Sequence, residues 1–229
     1  MKKLPLWLKP YEILATGQRC GIIEVATDAL SIDSIKKKMG DKRLLINYFK
    51  QQFGSQRGKA FKKARDNFCQ SLAAYSLLCY ILQIKDRHNG NILVDIEGHI
   101  MHIDFGFFLS NAPGKGVKFE RAPFKLTSEM VEVLGGNTSP KFSEYRELMK
   151  EGFMALQEHA EKIIIIIEMM FLGQNDLPCF KGGEQTLKDL KDRFFPIGRR
   201  FTEKECQRFV DGLVHESYDN WRTKCYDNF

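Results

Sequence analysis

Residues 85–107, K-D-R-H-N-G-N-I-L-V-D-I-E-G-H-I-M-H-I-D-F-G-F, constrain the chain more than any other stretch. A polar loop from Asp86 to Asn91 runs into an apolar run, and Glu97-Gly98 then supplies a turn. A second apolar run ends at Asp104-Phe105-Gly106. Two short strands about a tight turn pair and bring the backbone back to the edge it left. Asn91 and Asp104, thirteen positions apart in sequence, are therefore expected at the same edge, with Asp86 one loop away.

The remainder reads as mostly helical. "YEILATG" (11–17) and "IIEVA" (22–26) look like short strands joined by a turn, and from Asp28 the texture changes to helix. In 59–84, Phe61, Phe68, Leu72, Tyr75, Leu78 and Leu82 recur at helical spacing. That helix becomes apolar all round towards its end, as a helix entering a core does. Residues 105–124 carry Pro and Gly without period and predict a loop, longer than a compact domain keeps without a use. Beyond it, helices are expected at 127–134 (with Thr127 as N-cap), 141–158, 159–172, 184–194 and 202–227. The run Ile163 to Ile167 is far shorter than the roughly 20 residues of a membrane span, so it reads as one buried helix turn. The apolar stretch after Met1-Lys2-Lys3 is too short for a signal peptide. The fold class expected is α+β, a helical body around one small hairpin.

Net charge is +6, and cations gather at 35–43, 59–65, 115–125 and 198–200. Such clusters suit an anionic partner, a membrane surface or a nucleic acid, although the first two read as solvated helix faces. No zinc finger, helix-turn-helix or RNA-binding motif supports a nucleic acid. The six cysteines contain no C-x-x-C pair, which argues against zinc and for reduced thiols in a cytosolic protein.

Phosphoryl transfer asks for few groups, accurately placed. An Asp beside the attacking hydroxyl orients or accepts its proton, while an Asn a turn later and a second Asp ligate magnesium. Protein kinases arrange these as H-R-D-x-x-x-x-N followed by D-F-G. Here Asp86 and Asn91 keep the same five-residue step, with Arg87 and His88 on the other side of the Asp: D-R-H-x-x-N. D-R-H-x-x-N with I-D-F-G resembles the phosphatidylinositol 3-/4-kinase superfamily. "QIKDRHNGNIL" and "GHIMHIDFGF" look like its type III phosphatidylinositol 4-kinases, and "FERAPFKLTSEMVEVLGG" and "LPCFKGGEQTLKDLKDRF" look like the beta form. Lys85 stands where the 3-kinases and related protein kinases usually carry Gly.

This resemblance covers essentially the whole chain and implies ATP and Mg²⁺ as cofactors and phosphatidylinositol as substrate. It also implies peripheral attachment to Golgi or other intracellular membranes. It makes Asn91 and Asp104 the metal ligands, and Asp86, Arg87 and His88 the catalytic loop. Histidine as a residue type titrates nearest neutral pH, so His88 is expected to take or relay the hydroxyl proton while Asp86 orients it. Arg87 is expected to fix the loop through an ion pair. "GIIEVA" matches the family's hinge, so the Glu24 carbonyl and Ala26 N–H, flanked by Ile23 and Val25, are implied to pair with adenine. Tyr11 is implied to line the back of that pocket, with Leu93 and Ile103 as its floor; by pattern alone these apolar residues read as plain core. In the loop 104–126, Lys115, Lys118, Arg121 and Lys125 are the expected head-group and membrane contacts, favouring phosphatidylinositol over its phosphorylated forms.

The family's phosphate-covering loop and ATP lysine precede the hinge, and its last helix runs beyond "YDNF". Residues 1–26 are accordingly expected to be the end of an N-lobe and hinge, and 27–229 a helical C-lobe, with other domains upstream. Such a piece is expected to turn over little alone. Two other readings stay open: a related Ser/Thr protein kinase, which Lys85 and the basic loop disfavour, and a non-catalytic membrane-associated scaffold.

Overall fold

The computed structural model describes residues 3–18, 20–40, 44–112 and 122–220. Strands β1 (Ile13–Gly17) and β2 (Cys20–Ile23) pair antiparallel, with Ile13 opposite Ile23. A third strand, β3 (Ala29–Ser31), leads into helices α1 (Ile32–Met39), α2 (Leu45–Phe53) and α3 (Lys59–Leu82). Strands β4 (Ile92–Asp95) and β5 (Ile100–His102) come next. The rest is α4 (Ser128–Val133), α5 (Pro140–Glu158), α6 (Ala160–Gly173), a short 3₁₀ turn Pro178–Phe180, α7 (Glu184–Phe194) and α8 (Glu203–Ser217).

Helix α3 organises the whole. Phe68 and Phe61 on it pack with Phe49 of α2, each at most 1% exposed, and a buried aromatic of this size contributes about 1.5–3 kcal/mol. Its polar residues grip the hairpin. Ser71 donates to the Asn67 carbonyl (2.8 Å) and accepts the Ile100 N–H (2.9 Å), while Asn67 Nδ2 donates to the Glu97 carbonyl (2.8 Å). The β4–β5 turn then lies so close to α3 that a Cβ on Gly98 would stand 2.8 Å from Ala64. Gly98 also has φ +88, which L side chains rarely adopt.

Helix starts follow local chemistry. Ser31, Thr127 and Ser139 each accept a backbone N–H of the first turn, and Thr202 with Glu205 completes a capping box.

Three expectations need correction. The stretch after Asp28 is not directly helical: β3 adds to β4, Ala29 opposite Asp95, so β4 is the central strand of a three-stranded sheet. The isoleucine run is not a buried turn either. Five consecutive helical residues sweep more than a full circle, and Ile165 (53%) and Ile166 (65%) face outward while Ile164 faces the core. Helix α8 stops at Ser217 rather than near 227, because Tyr218 turns extended and pairs with Leu126. Residues 221–229, Cys225 among them, lie outside the described residues; the five described cysteines are free thiols.

Candidate active site

Helix α3 closes on Gln83 in a left-handed conformation (φ +51), its N–H bonded to the Cys79 carbonyl. The loop it releases is sewn to the chain beyond Asp104: Leu109 N–H donates to the Leu82 carbonyl (2.7 Å) and Lys85 N–H to the Phe107 carbonyl (2.9 Å). Arg87 is the centre of this seam and only 1% exposed. Its Nε donates to the Lys85 carbonyl (2.9 Å), Nη1 to the Ile103 carbonyl (2.7 Å) and Nη2 to the Asp104 carbonyl. Its guanidinium carbon lies 5.7 Å from the Phe105 ring centroid. The ion pair expected of Arg87 is replaced by these carbonyl bonds, which a planar five-donor fork makes in fixed directions.

Asn91 and Asp104 meet as the hairpin requires. Ile103 N–H donates to the Asn91 carbonyl (3.1 Å), so Asp104 follows directly on a residue paired with Asn91. Asn91 Nδ2 donates to the Asp86 carbonyl (3.0 Å), which commits its NH₂ group and leaves Oδ1 to accept or to ligate. Asp104 is exposed, and its Oδ1 accepts the Gly106 N–H at 3.2 Å. Asp86 (φ +62) and Asp104 (φ +58) both hold left-handed backbones. Each costs of order 1 kcal/mol or more, and such residues gather where function fixes the geometry.

His88 Nδ1 accepts the Gly90 N–H at 3.1 Å. A neutral ring that accepts at Nδ1 carries its proton on Nε2. A Cβ on Gly90 would sit 2.9 Å from that ring, so glycine is what lets the loop turn there. A neutral His88 in this tautomer offers its Nε2–H as a hydrogen-bond donor.

On the hinge side, Glu24 N–H donates to the Glu12 carbonyl (2.9 Å). Glu12 N–H, however, donates to Glu24 Oε2 (2.9 Å), where a continued ladder would use the Glu24 carbonyl. The carbonyl expected to face adenine is thus spared by its own side chain. Ile23 and Val25 are exposed and Ala26 half-buried. Tyr11 stacks on Phe105 with ring centroids 6.0 Å apart, and the two line a cavity of about 420 Å³ with Leu8, Ile13, Tyr75 and Leu78. Leu93 is buried on β4, and Ile103 is half-buried one position before Asp104.

Lys115, Lys118 and Arg121 lie outside the described residues. Lys125 does not stand at the surface as expected. It is 3% exposed, and its ammonium donates to Asn89 Oδ1 at 3.0 Å, inside the loop itself. The sequence reading missed Asn89 altogether, although it sits between His88 and Asn91 in the motif. It also missed His102, stacked on Tyr75 with its Nδ1 3.5 Å from Cys79 Sγ. Burial, with the positive charges of Arg87 and Lys125, holds His102 well below the usual histidine range and therefore neutral.

Among the described residues no group of three or more His, Cys, Asp or Glu side chains could hold a metal. The donors offered are two hard oxygens, Asn91 Oδ1 and the Asp104 carboxylate. Mg²⁺ is commonly held this way, by one or two protein oxygens with phosphates and water completing the shell. The residues fit that ion.

A loop braced to a D-F-G turn on this helical body places the chain among kinase-type catalytic domains. Residues 1–181 match the family described as phosphatidylinositol 3- and 4-kinase, and the chain belongs to that family. It is 47% identical, over 99% of its length, to "Phosphatidylinositol 4-kinase" of Dictyostelium discoideum and to "Phosphatidylinositol 4-kinase beta 2" of Arabidopsis thaliana. Over its full length it is 46% identical to "Phosphatidylinositol 4-kinase beta" of Danio rerio. It spans 19%, 20% and 26% of the length of these three relatives. Among the described residues no helix is long and apolar enough to cross a membrane.

Proposed function

We propose that the chain carries the hinge and catalytic loop of a lipid kinase. It moves the ATP γ-phosphate to the 4-hydroxyl of phosphatidylinositol, giving phosphatidylinositol 4-phosphate and ADP. The observation that carries this reading is the join at Asn91, whose carbonyl meets Ile103 and whose NH₂ meets Asp86. It brings Asp86, Asn91 and Asp104 to one edge, which supports reading them as an acid and two oxygen ligands. The relatives' names supply the lipid and the position phosphorylated.

In this reading the 4-hydroxyl oxygen bonds to the γ-phosphorus as the bridging bond to the β-phosphate breaks, and the hydroxyl proton passes to Asp86. His88 donates from Nε2 to an oxygen of the transferring group, and Arg87 holds the loop to the D-F-G turn. Asn91 and Asp104 would hold Mg²⁺, which when bound supplies positive charge to the phosphates. The Glu24 carbonyl and Ala26 N–H receive adenine, with Ile23, Val25, Tyr11, Leu93 and Ile103 as its apolar surroundings. Residues 1–26 then belong to the N-lobe and hinge, and Lys115, Lys118 and Arg121 to the head-group side. The setting is peripheral, on the Golgi or another intracellular membrane.

The test presents the full-length protein with ATP, Mg²⁺ and identical vesicles bearing phosphatidylinositol, its 4-phosphate or its 4,5-bisphosphate, beside a Ser/Thr peptide mixture. Phosphatidylinositol 4-phosphate should form fastest. Equal or faster turnover of the phosphorylated lipids, or of peptide, would overturn the reading.

A further inference from the structure

Lys125 is a buried cation that bonds to the catalytic loop, and the reading of the site just given has no use for it. Burying an ammonium is costly unless something specific is gained, and its partner is informative. Asn89 is 8% exposed and is held from two directions: its carbonyl accepts the Asp33 N–H of α1 at 3.1 Å, and its side chain accepts from Lys125 at 3.0 Å. On either side of Asn89 stand the two groups whose placement decides the chemistry. His88 is set by the Gly90 N–H, and Asn91 by the Asp86 carbonyl and by its own N–H to the His88 carbonyl (3.0 Å). Loss of the Asn89 anchor would let the loop between His88 and Asn91 shift as a unit.

The segment bearing Lys125 is itself fixed, from the far side. Phe124 N–H donates to Ser217 Oγ (3.3 Å), Asp219 N–H donates to the Leu126 carbonyl (2.8 Å), and Ser128 N–H donates to Asp219 Oδ1 (3.2 Å). Leu126 and Tyr218 form a parallel bridge. Residues 124–128 are therefore a strap tied down by the end of α8, and Lys125 is the side chain that reaches from the strap into the catalytic loop.

We propose that Lys125 is a positioning residue for phosphoryl transfer: through Asn89 it holds His88 and Asn91 in register, with the end of α8 as its anchorage. This rests on the lipid-kinase reading for its effect on rate, but not for its effect on the loop. Loss of a positioning residue loosens a transition-state arrangement and lowers kcat, whereas loss of a head-group contact would raise the KM for lipid.

The experiment compares Lys125→Met, Lys125→Arg and Asn89→Leu in the full-length protein, measuring kcat, the KM for ATP and for lipid, and amide hydrogen exchange across residues 86–91. Lys125→Met should lower kcat at least tenfold, with both KM values within about threefold and faster exchange confined to 86–91. Lys125→Arg, which keeps charge and donors, should recover most of kcat. Asn89→Leu should match Lys125→Met, and the double variant should be no worse than either single one. Unchanged exchange across 86–91 in Lys125→Met overturns the proposal whatever the substrate proves to be. So does a raised KM for lipid at unchanged kcat, which would make Lys125 a substrate contact. If Lys125→Met fails to fold, Asn89→Leu carries the same exchange test, with Lys125→Arg as the variant that should leave exchange unchanged. If the wild type phosphorylates no lipid, the function reading fails by itself and the exchange result still decides the role of Lys125.

Discussion

Asn91 donates its side-chain NH₂ to the Asp86 carbonyl at 3.0 Å, so one amide both clamps the Asp86–Asn91 loop and leaves its own oxygen to accept. That division of labour separates the two proposed metal ligands, Asn91 and Asp104, in their behaviour under substitution. Among the described residues the Asp104 carboxylate accepts only the nearby Gly106 N–H. Asp104→Asn should therefore remove nearly all turnover, about 10²-fold or more for a group acting on developing phosphate charge, at unchanged melting temperature. Asn91→Ala should lose turnover and also some stability, roughly 0.5–1.5 kcal/mol for one hydrogen bond. Kinetics and thermal melts on the same preparations check both, and near-wild-type turnover in Asp104→Asn would remove it from the site.

In the proposed mechanism, the bond from Gly90 N–H to His88 Nδ1 makes His88 the donor and leaves Asp86 as the proton acceptor. Asp86→Asn should cost about 10²–10⁴-fold in kcat, as loss of a positioned base does. His88→Gln keeps a side-chain donor, so it should be slower but retain the acid limb of the pH–rate profile. Disappearance of that limb in His88→Gln would return the proton-accepting role to the histidine.

Arg87→Lys keeps the charge and should nevertheless fail. A single ammonium cannot reproduce bonds from Nε, Nη1 and Nη2 to three separate carbonyls. At least one buried acceptor is left unpaired, costing about 1–3 kcal/mol, and the Asp104 turn loses its tie to the loop. Urea denaturation and kcat together test this. A variant with wild-type stability and rate would show that the seam holds without the fork.

These outcomes bear on what could be read from the chain alone. The hairpin was legible because its period, its Glu97-Gly98 turn and its bounding acids lie in one continuous stretch. Strand β3 was not, since three residues hold no period and Ala29–Ser31 is extended because it lies against β4. Ile165 and Ile166 show the same limit in a helix: the run is apolar, but which members meet the core depends on how α6 is seated. Lys125 failed most instructively. Its neighbours in sequence are cations of the loop, whereas its neighbours in space are Asn89 and, behind the strap, Ser217 and Asp219. The Gly90–His88 bond lay within the motif itself, yet a motif specifies residue types and not which ring nitrogen is occupied.

The far end of the hairpin gives a prediction that concerns stability alone. Asp95 is 4% exposed and its carboxylate accepts the His99 ring at 2.9 Å, the His99 N–H at 2.8 Å and the Glu97 N–H at 2.9 Å, while His99 stacks on Trp7 with centroids 4.0 Å apart. Burial alone would push the Asp95 carboxyl up, but the bonds from His99 and Glu97 outweigh it and hold the group below the usual carboxylate range. A pKa lower in the folded than in the unfolded chain means that the unfolded chain binds more protons between the two values. Stability from Asp95 is then full above about pH 4, the ordinary aspartate value, and is lost as pH falls through the folded value. Asp95→Asn keeps the shape and removes the titration. Chemical denaturation at pH 5 and pH 3 should show a gap between wild type and variant at the higher pH that narrows at the lower. An equal gap at both would mean that the Asp95 carboxylate contributes packing and no charge.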